Sequence, residues 1–253
     1  MHLLRTKDLS RYTIAATDAD IGSIHDFYFD DEHWTIRYIV VGTGVLLSGR
    51  KVLISPVALH RPPWMPLHLR VNLTWAQIEN SPSVDVHKPV SRQHEKEHSQ
   101  HYGWPQYWEG TAGSGLNPRP GPAAAPRPEK LPNPAENASG DTHLRSTSEV
   151  TGYRIHATDG EIGHLEDFLF DDESWKIRYA IVDTKNWWPG KKILLRPQWI
   201  DRVSWTDHEI YVRMSREAIQ KAPAWEADKP VSREYELRLH RHYGYAPYWT
   251  EDE

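Results

Sequence analysis

Three histidines, His94, His98 and His101, stand at i, i+4 and i+7 on a segment whose spacing predicts a helix, with Glu95 and Glu97 among them. Two histidines one turn apart can chelate a divalent cation, which makes them candidate metal ligands; the plainer reading is a charged, solvated helix face. Asp30-Asp31-Glu32 and Asp171-Asp172-Glu173 offer carboxylates to calcium. Calcium loops, however, spread six or more oxygens around a fixed turn, and adjacent aspartates commonly make a hairpin turn. Arg37 and Arg178 each interrupt an apolar run between Ile and Tyr. A structural ion pair with Asp26 or Asp30, and with Asp167 or Asp171, is favoured over ligand binding. Large apolar and aromatic side chains form the last group: Trp187-Trp188 with Leu46-Leu47 at the matching place, and Tyr102, Tyr107, Trp108, Tyr243, Tyr248 and Trp249. Such anchors dominate interface energetics, and the alternative is that they pack back on their own domain. No Ser-His-Asp constellation, phosphate-cradling glycine loop or HExxH occurs, and no acid–base pair stands out within reach of a substrate. No enzyme and no cofactor are expected.

The elements that must position these residues come twice. Residues 17–38 return almost word for word at 158–179, and the register holds without a gap to Trp108 and Trp249. Within each copy, Ile21 to Phe29 (Ile162 to Phe170) alternates with period two, as a strand with one buried face does. A polar turn leads to Trp34–Val41, rich in β-branched and aromatic residues, so the two runs predict a hairpin. Val52-Leu53-Ile54 and Ile193-Leu194-Leu195 predict a short strand stopped by Pro56 and Pro197. Leu67–Leu73 and Ile210–Met214 alternate again. Thr74 and Ser215 are good N-caps for a short helix, and Ser91 and Ser232 for a second one ending near Tyr102 and Tyr243. The second copy also weighs the histidines: their positions become Tyr235, Leu239 and His242. Any metal site would thus be confined to the first copy, and none is expected.

The 253 residues suit two domains of about 100 residues each plus connections. Twelve Trp and twelve Tyr against four Phe favour half-buried and interface positions. A net charge of −5 argues against a nucleic-acid partner, which would select a basic face. Cysteine is absent, which excludes disulfides and thiolate chemistry. No stretch approaches the roughly 20 apolar residues of a membrane helix, and the start has no apolar run of signal-peptide length. Between the copies lies a segment rich in Pro, Gly and Ala, including Pro118–Pro128, whose composition cannot support a core.

Ile-Gly at 21–22 and 162–163, Asp-Phe at 26–27 and 167–168, Trp-x-Ile-Arg-Tyr at 34–38 and 175–179, the run 187–195 and the closing aromatic tail together resemble the PRC-barrel family. The resemblance covers most of both copies. It implies a small, highly bent antiparallel β-barrel, similar to the cytoplasmic barrel of the photosynthetic reaction centre H subunit and to the C-terminal barrel of the ribosome maturation factor. It implies an interaction module rather than a catalyst.

The resulting expectation is a mainly β chain of two tandem antiparallel PRC-type barrels, each with short C-terminal helices and an aromatic tail. The first repeat would span 1–108, a flexible linker 109–145 and the second repeat 146–253. The expected function is a cytoplasmic, non-enzymatic scaffold whose two barrels pair within the chain or between copies and meet an unknown protein partner. Nucleic acid is not expected, and any membrane association would be peripheral. The alternatives are a ribosome- or RNA-associated factor and an accessory protein of a photosynthetic or electron-transfer membrane complex.

Overall fold

A computed structural model of the chain describes residues 2–44, 49–60, 67–82, 84, 90–108, 143–184 and 191–250. Leu46, Leu47, Trp187 and Trp188 lie outside the described residues. The protein is mainly β and divides into two compact units. One holds Lys7–Ser146 and Glu173–Lys176; the other holds Met1–Thr6, Thr147–Asp172 and Ile177–Glu253. They are termed the first-copy and second-copy units.

The chain opens with β1 (Leu3–Arg5) and α1 (Thr6–Leu9). The first-copy unit then forms β2 (Thr13–Ala15), β3 (Asp20–Asp30), β4 (Thr35–Gly42), β5 (Lys51–Ile54) and β6 (His68–Arg70), followed by α2 (Trp75–Glu79) and α3 (Arg92–Tyr102). The acids after β3 make the hairpin turn: Asp30 Oδ1 accepts from the backbone amides of Glu32 and His33, both at 2.8 Å. The register of β3 on β4 slips between Ile24 and Asp26 and between Tyr28 and Phe29. Such bulges bend and twist a strand, so β3 can present its two halves in different directions. Phe27, Phe29, Ile39 and Leu53 of this sheet are fully buried. Pro56 begins a 3₁₀ turn that stops β5, and Thr74 forms a reciprocal capping box with Gln77 at the head of α2.

The expected antiparallel barrel needs correction. The strand order is β5-β4-β3-β2-β6, an open path in which β2 and β6 run parallel. After three antiparallel neighbours the chain crosses back through the 3₁₀ turn, so β6 arrives beside β2 travelling the same way. Alternating burial marks a strand but says nothing of its neighbour's direction, so the sequence pattern could not distinguish the two arrangements.

The second copy repeats the pattern with β7 (Leu144–Ser146), α4 (Thr147–Val150), β8 (Arg154–Ala157), β9 (Gly160–Asp171), β10 (Ile177–Asp183), β11 (Lys192–Leu195), β12 (Ile200–Ser204) and β13 (Glu209–Val212), then α5 (Arg216–Lys221) and α6 (Arg233–Tyr243). Its sheet runs β11-β10-β9-β8-β13-β12 and is also mixed, since β8 and β13 are parallel. β12 was not anticipated. Ile200 pairs with Val212, and the matching residues of the first copy, Leu59 and Val71, form an isolated bridge.

One pairing does not follow the repeats. β1 lies antiparallel on β9, Leu3 opposite Asp171, in the second-copy unit. β7 lies antiparallel on β3, Leu144 opposite Asp30, in the first-copy unit. The registers are equivalent, because Leu3 and Asp30 correspond to Leu144 and Asp171. The leading strand of each copy therefore sits in the sheet built by the other. Each occupies the C-terminal half of the long strand's edge, whose N-terminal half already carries β2 or β8.

Candidate functional site

In each unit the last helix and the tail behind it converge on one buried glutamate. The Ser91 and Ser232 hydroxyls accept from the amides of His94 and Tyr235 and fix the start of α3 and α6. Both helices end on a glycine in the left-handed region, Gly103 at φ 69° and Gly244 at φ 73°, a conformation glycine adopts without Cβ strain. The chain then doubles back, and Trp104 and Tyr245 bond the carbonyls of Ser99 and His240 at 2.9 and 3.0 Å. This return places Tyr107 and Tyr248 over the first turn of their helices.

Glu236 sits on the inner face of that turn. Both Tyr179 and Tyr248 donate to its Oε1 at 3.0 Å, and Arg233 reaches Oε2 at 3.2 Å. His240 Nε2 lies 3.2 Å from the Tyr179 hydroxyl, and its Nδ1 is 2.8 Å from the Ala246 carbonyl, tying helix to tail. Burial, followed by the charge and hydrogen bond of Glu236, pushes the Tyr179 hydroxyl far above the ordinary phenol range. The same causes act on Tyr248. Both tyrosines therefore stay protonated and act as donors. Burial pushes Glu236 itself up, opposed by the two tyrosines, Arg233 and Arg178.

The first copy repeats the arrangement in outline, with Ser99 at the place of His240. Tyr107 donates to Glu95 Oε2 at 2.6 Å and accepts from Arg92 at 3.2 Å, and Tyr38 lies against Glu95 from the sheet. Glu95 Oε1 stands 3.0 Å from His143 Nε2 and 3.3 Å from Arg92, close but without a well-aligned hydrogen bond. His143 corresponds to His2, which is exposed in the second-copy unit.

Arginines cover the outside of the cluster. Arg37 holds Asp30 through Nε at 3.0 Å and a terminal nitrogen at 2.7 Å, and its guanidinium lies 4.0 Å from the centre of the Tyr107 ring. Arg178 repeats this with Asp171 at 2.9 Å and Tyr248 at 4.4 Å. The partner of Arg37 is thus Asp30 and not Asp26, because Asp26 stands opposite Val40, three residues further along β4. Burial raises the Asp30 carboxyl, but the His33 hydrogen bond and Arg37 outweigh it and hold the group well below the usual carboxylate range. Asp26 and Asp167 serve the exchanged strands. Ser146 donates to Asp26, while Thr6 and Arg5 donate to Asp167.

Of the aromatic candidates, Tyr248 is buried, and Tyr102, Tyr107, Trp108, Tyr243 and Trp249 are half-buried. Arg92 covers Trp108 at 4.5 Å, and Arg233 covers Trp249 at 3.8 Å. The tails are folded onto their own helices, with Trp108 and Trp249 each half-buried. Sequence reasoning missed Glu95, Glu236, Tyr38, Tyr179, Arg92, Arg233 and His143. The available signal was that the first six keep their identity in both copies although they are polar or amphipathic.

Of the three histidines, His94 and His98 lie with ring centres 4.9 Å apart, while His101 is turned to a different partner. His101 bonds the Gln77 carbonyl at 2.8 Å on the exposed side, while His98 is fully buried and neither of its nitrogens has a hydrogen-bond partner among the described residues. Among the described residues no group of three or more His, Cys, Asp or Glu is placed to hold a metal ion. Burial, then the neighbouring His94, His101 and Arg50, lowers His98 to about 3. The unfolded chain takes up a proton near pH 6.5 and the folded one does not. The folded state therefore loses stability as pH falls below about 6.5, by about 2 kcal/mol at pH 5 from this group alone. The second copy carries Leu239, fully buried, at the same place. His98→Leu is expected to stabilise the protein by about 1–3 kcal/mol at pH 7, with a larger gain at pH 5. Urea unfolding at both pH values checks this, and a gain that does not grow on acidification would refute it.

No family model and no curated protein matches the chain.

Proposed function

We propose that this chain is a non-enzymatic protein-interaction scaffold, a tandem member of the PRC-barrel family whose two copies pair and present a composite surface. The observation that carries the reading is the glutamate cluster, present twice. In each copy the converging ionisable groups face one another and the returning tail. What the cluster does physically is hold an aromatic tail in place. The residues behind the family resemblance have matching structural tasks. Gly22 and Gly163 allow a close strand approach, Arg37 and Arg178 clamp the hairpin turn, and Tyr38 and Tyr179 seat the glutamate. The half-buried Trp108 and Trp249, one in each unit and each backed by an arginine, are the side chains offered to a partner, and aromatic residues with arginine are enriched at binding hot spots.

Affinity capture from the native source tests this, using the full chain and the Trp108→Ala/Trp249→Ala variant. A protein retained by the wild type and lost from the variant is the expected outcome. RNA retained in a salt-dependent manner, with no effect of the two tryptophans, would favour a ribosome-associated role instead.

A further inference from the structure

The two leading strands, β1 and β7, are received by a dedicated edge rather than by chance proximity. Four carboxylates define it, at two equivalent positions in each copy. Asp167 takes the Thr6 hydroxyl and Arg5 Nε, the latter at 3.2 Å, and Asp172 takes the His2 amide at 2.7 Å. In the other sheet Asp26 takes the Ser146 hydroxyl, and Asp31 takes Arg145 Nε at 3.1 Å. The backbone ladder runs one residue past each strand, since the amides of Asp172 and Asp31 bond the His2 and His143 carbonyls, both at 3.0 Å. Leu144 enters the apolar core formed by Tyr28, Tyr38, Val40, Leu53 and Val90. Thr6, at the crossing into the following helix, is buried, as is its counterpart Thr147.

An edge strand with an empty half would expose unpaired amides and carbonyls. Adding an extended segment to such an edge satisfies them, while flanking side chains select the sequence. Here each copy supplies the segment that completes the other, as in a strand-swapped homodimer fused into one chain. We infer that these edges are strand-recognition sites, each specific for the leading strand of the other copy. Reciprocal exchange, rather than the Pro-rich connecting segment, keeps the copies associated. The inference deepens the proposed pairing and rests on it.

The test uses the full-length chain with a protease site inserted between residues 109 and 142, folded first and cut afterwards. The cut wild type should elute as one species at micromolar concentration. In the cut chain, Arg5→Ala/Thr6→Val should raise the dissociation constant at least about 100-fold, because two hydrogen bonds to a buried carboxylate are lost. Amide exchange of the uncut wild type gives an independent reading, with Leu4 and Arg145 protected. Cut halves that separate at once would overturn both the exchange and the pairing. Halves that stay together while Leu4 and Arg145 exchange freely, or while Arg5→Ala/Thr6→Val has no effect, would overturn the exchange alone and leave the pairing standing.

Discussion

Gly163→Ala is expected to lower the unfolding free energy by about 3 kcal/mol or more, and Gly22→Ala to do the same in the first copy. At both positions φ lies far on the positive side, +142° and +154°. A Cβ on Gly163 would stand 2.1 Å from the Asp183 carbonyl oxygen, and one on Gly22 2.0 Å from that of Gly42. The atoms met are backbone, held in the β9–β10 and β3–β4 ladders, so no side chain can swing away to relieve the clash. Relief requires separating the two longest strands where a bulge already bends them. Gly42→Ala supplies the control, since the nearest atom its Cβ would meet is the Ser23 carbonyl oxygen at 4.0 Å and its backbone needs no positive φ. Its cost should stay within about 1 kcal/mol. Urea denaturation of the three variants separates the cases, and equal losses for Gly42→Ala and Gly163→Ala would contradict the argument.

The same two glycines show what a sequence can reveal. Ile-Gly recurs in both copies because the close approach recurs, and the hairpin, the Pro-stopped strands and the Ser and Thr caps carry equally local signals. Helices capped by Ser91 and Ser232 end at Tyr102 and Tyr243, where the spacing predicts. What stayed hidden is non-local. Leu3-Leu4-Arg5 carries no strand signal of its own, yet its partner is Leu169–Asp171, across most of the chain. Three residues carry too little periodicity to announce a strand, and nothing near them names the receiving edge. Asp26 and Asp167 were legible as important carboxylates, but their donors sit in a different copy. The glutamate cluster was obscured for another reason. Glu95 lies among His94, Lys96 and Glu97, where a charged helix face is the ordinary expectation, and only the returning tail turns one of those charges inward.

Removing that inward charge is the second large perturbation. Glu236→Ala should cost about 3–5 kcal/mol, because the hydroxyls of Tyr179 and Tyr248 and the Arg233 guanidinium lose their common acceptor together. The tail should also loosen, with Trp249 emission shifting to the red, since Tyr248 is buried on that contact. Glu236→Gln keeps an acceptor oxygen for the tyrosines and should cost less, about 1–2 kcal/mol. Its deficit also has a pH signature. Burial raises the Glu236 carboxyl above its unfolded value. The wild type thus holds its full contribution at low pH and loses part of it as pH rises through the folded value, whereas glutamine is indifferent. The gap between wild type and Glu236→Gln should therefore be wider at pH 4 than at pH 7. A gap that widens towards neutral pH would mean that the charged carboxylate is the form the fold prefers, and that arginine rather than tyrosine dominates the cluster.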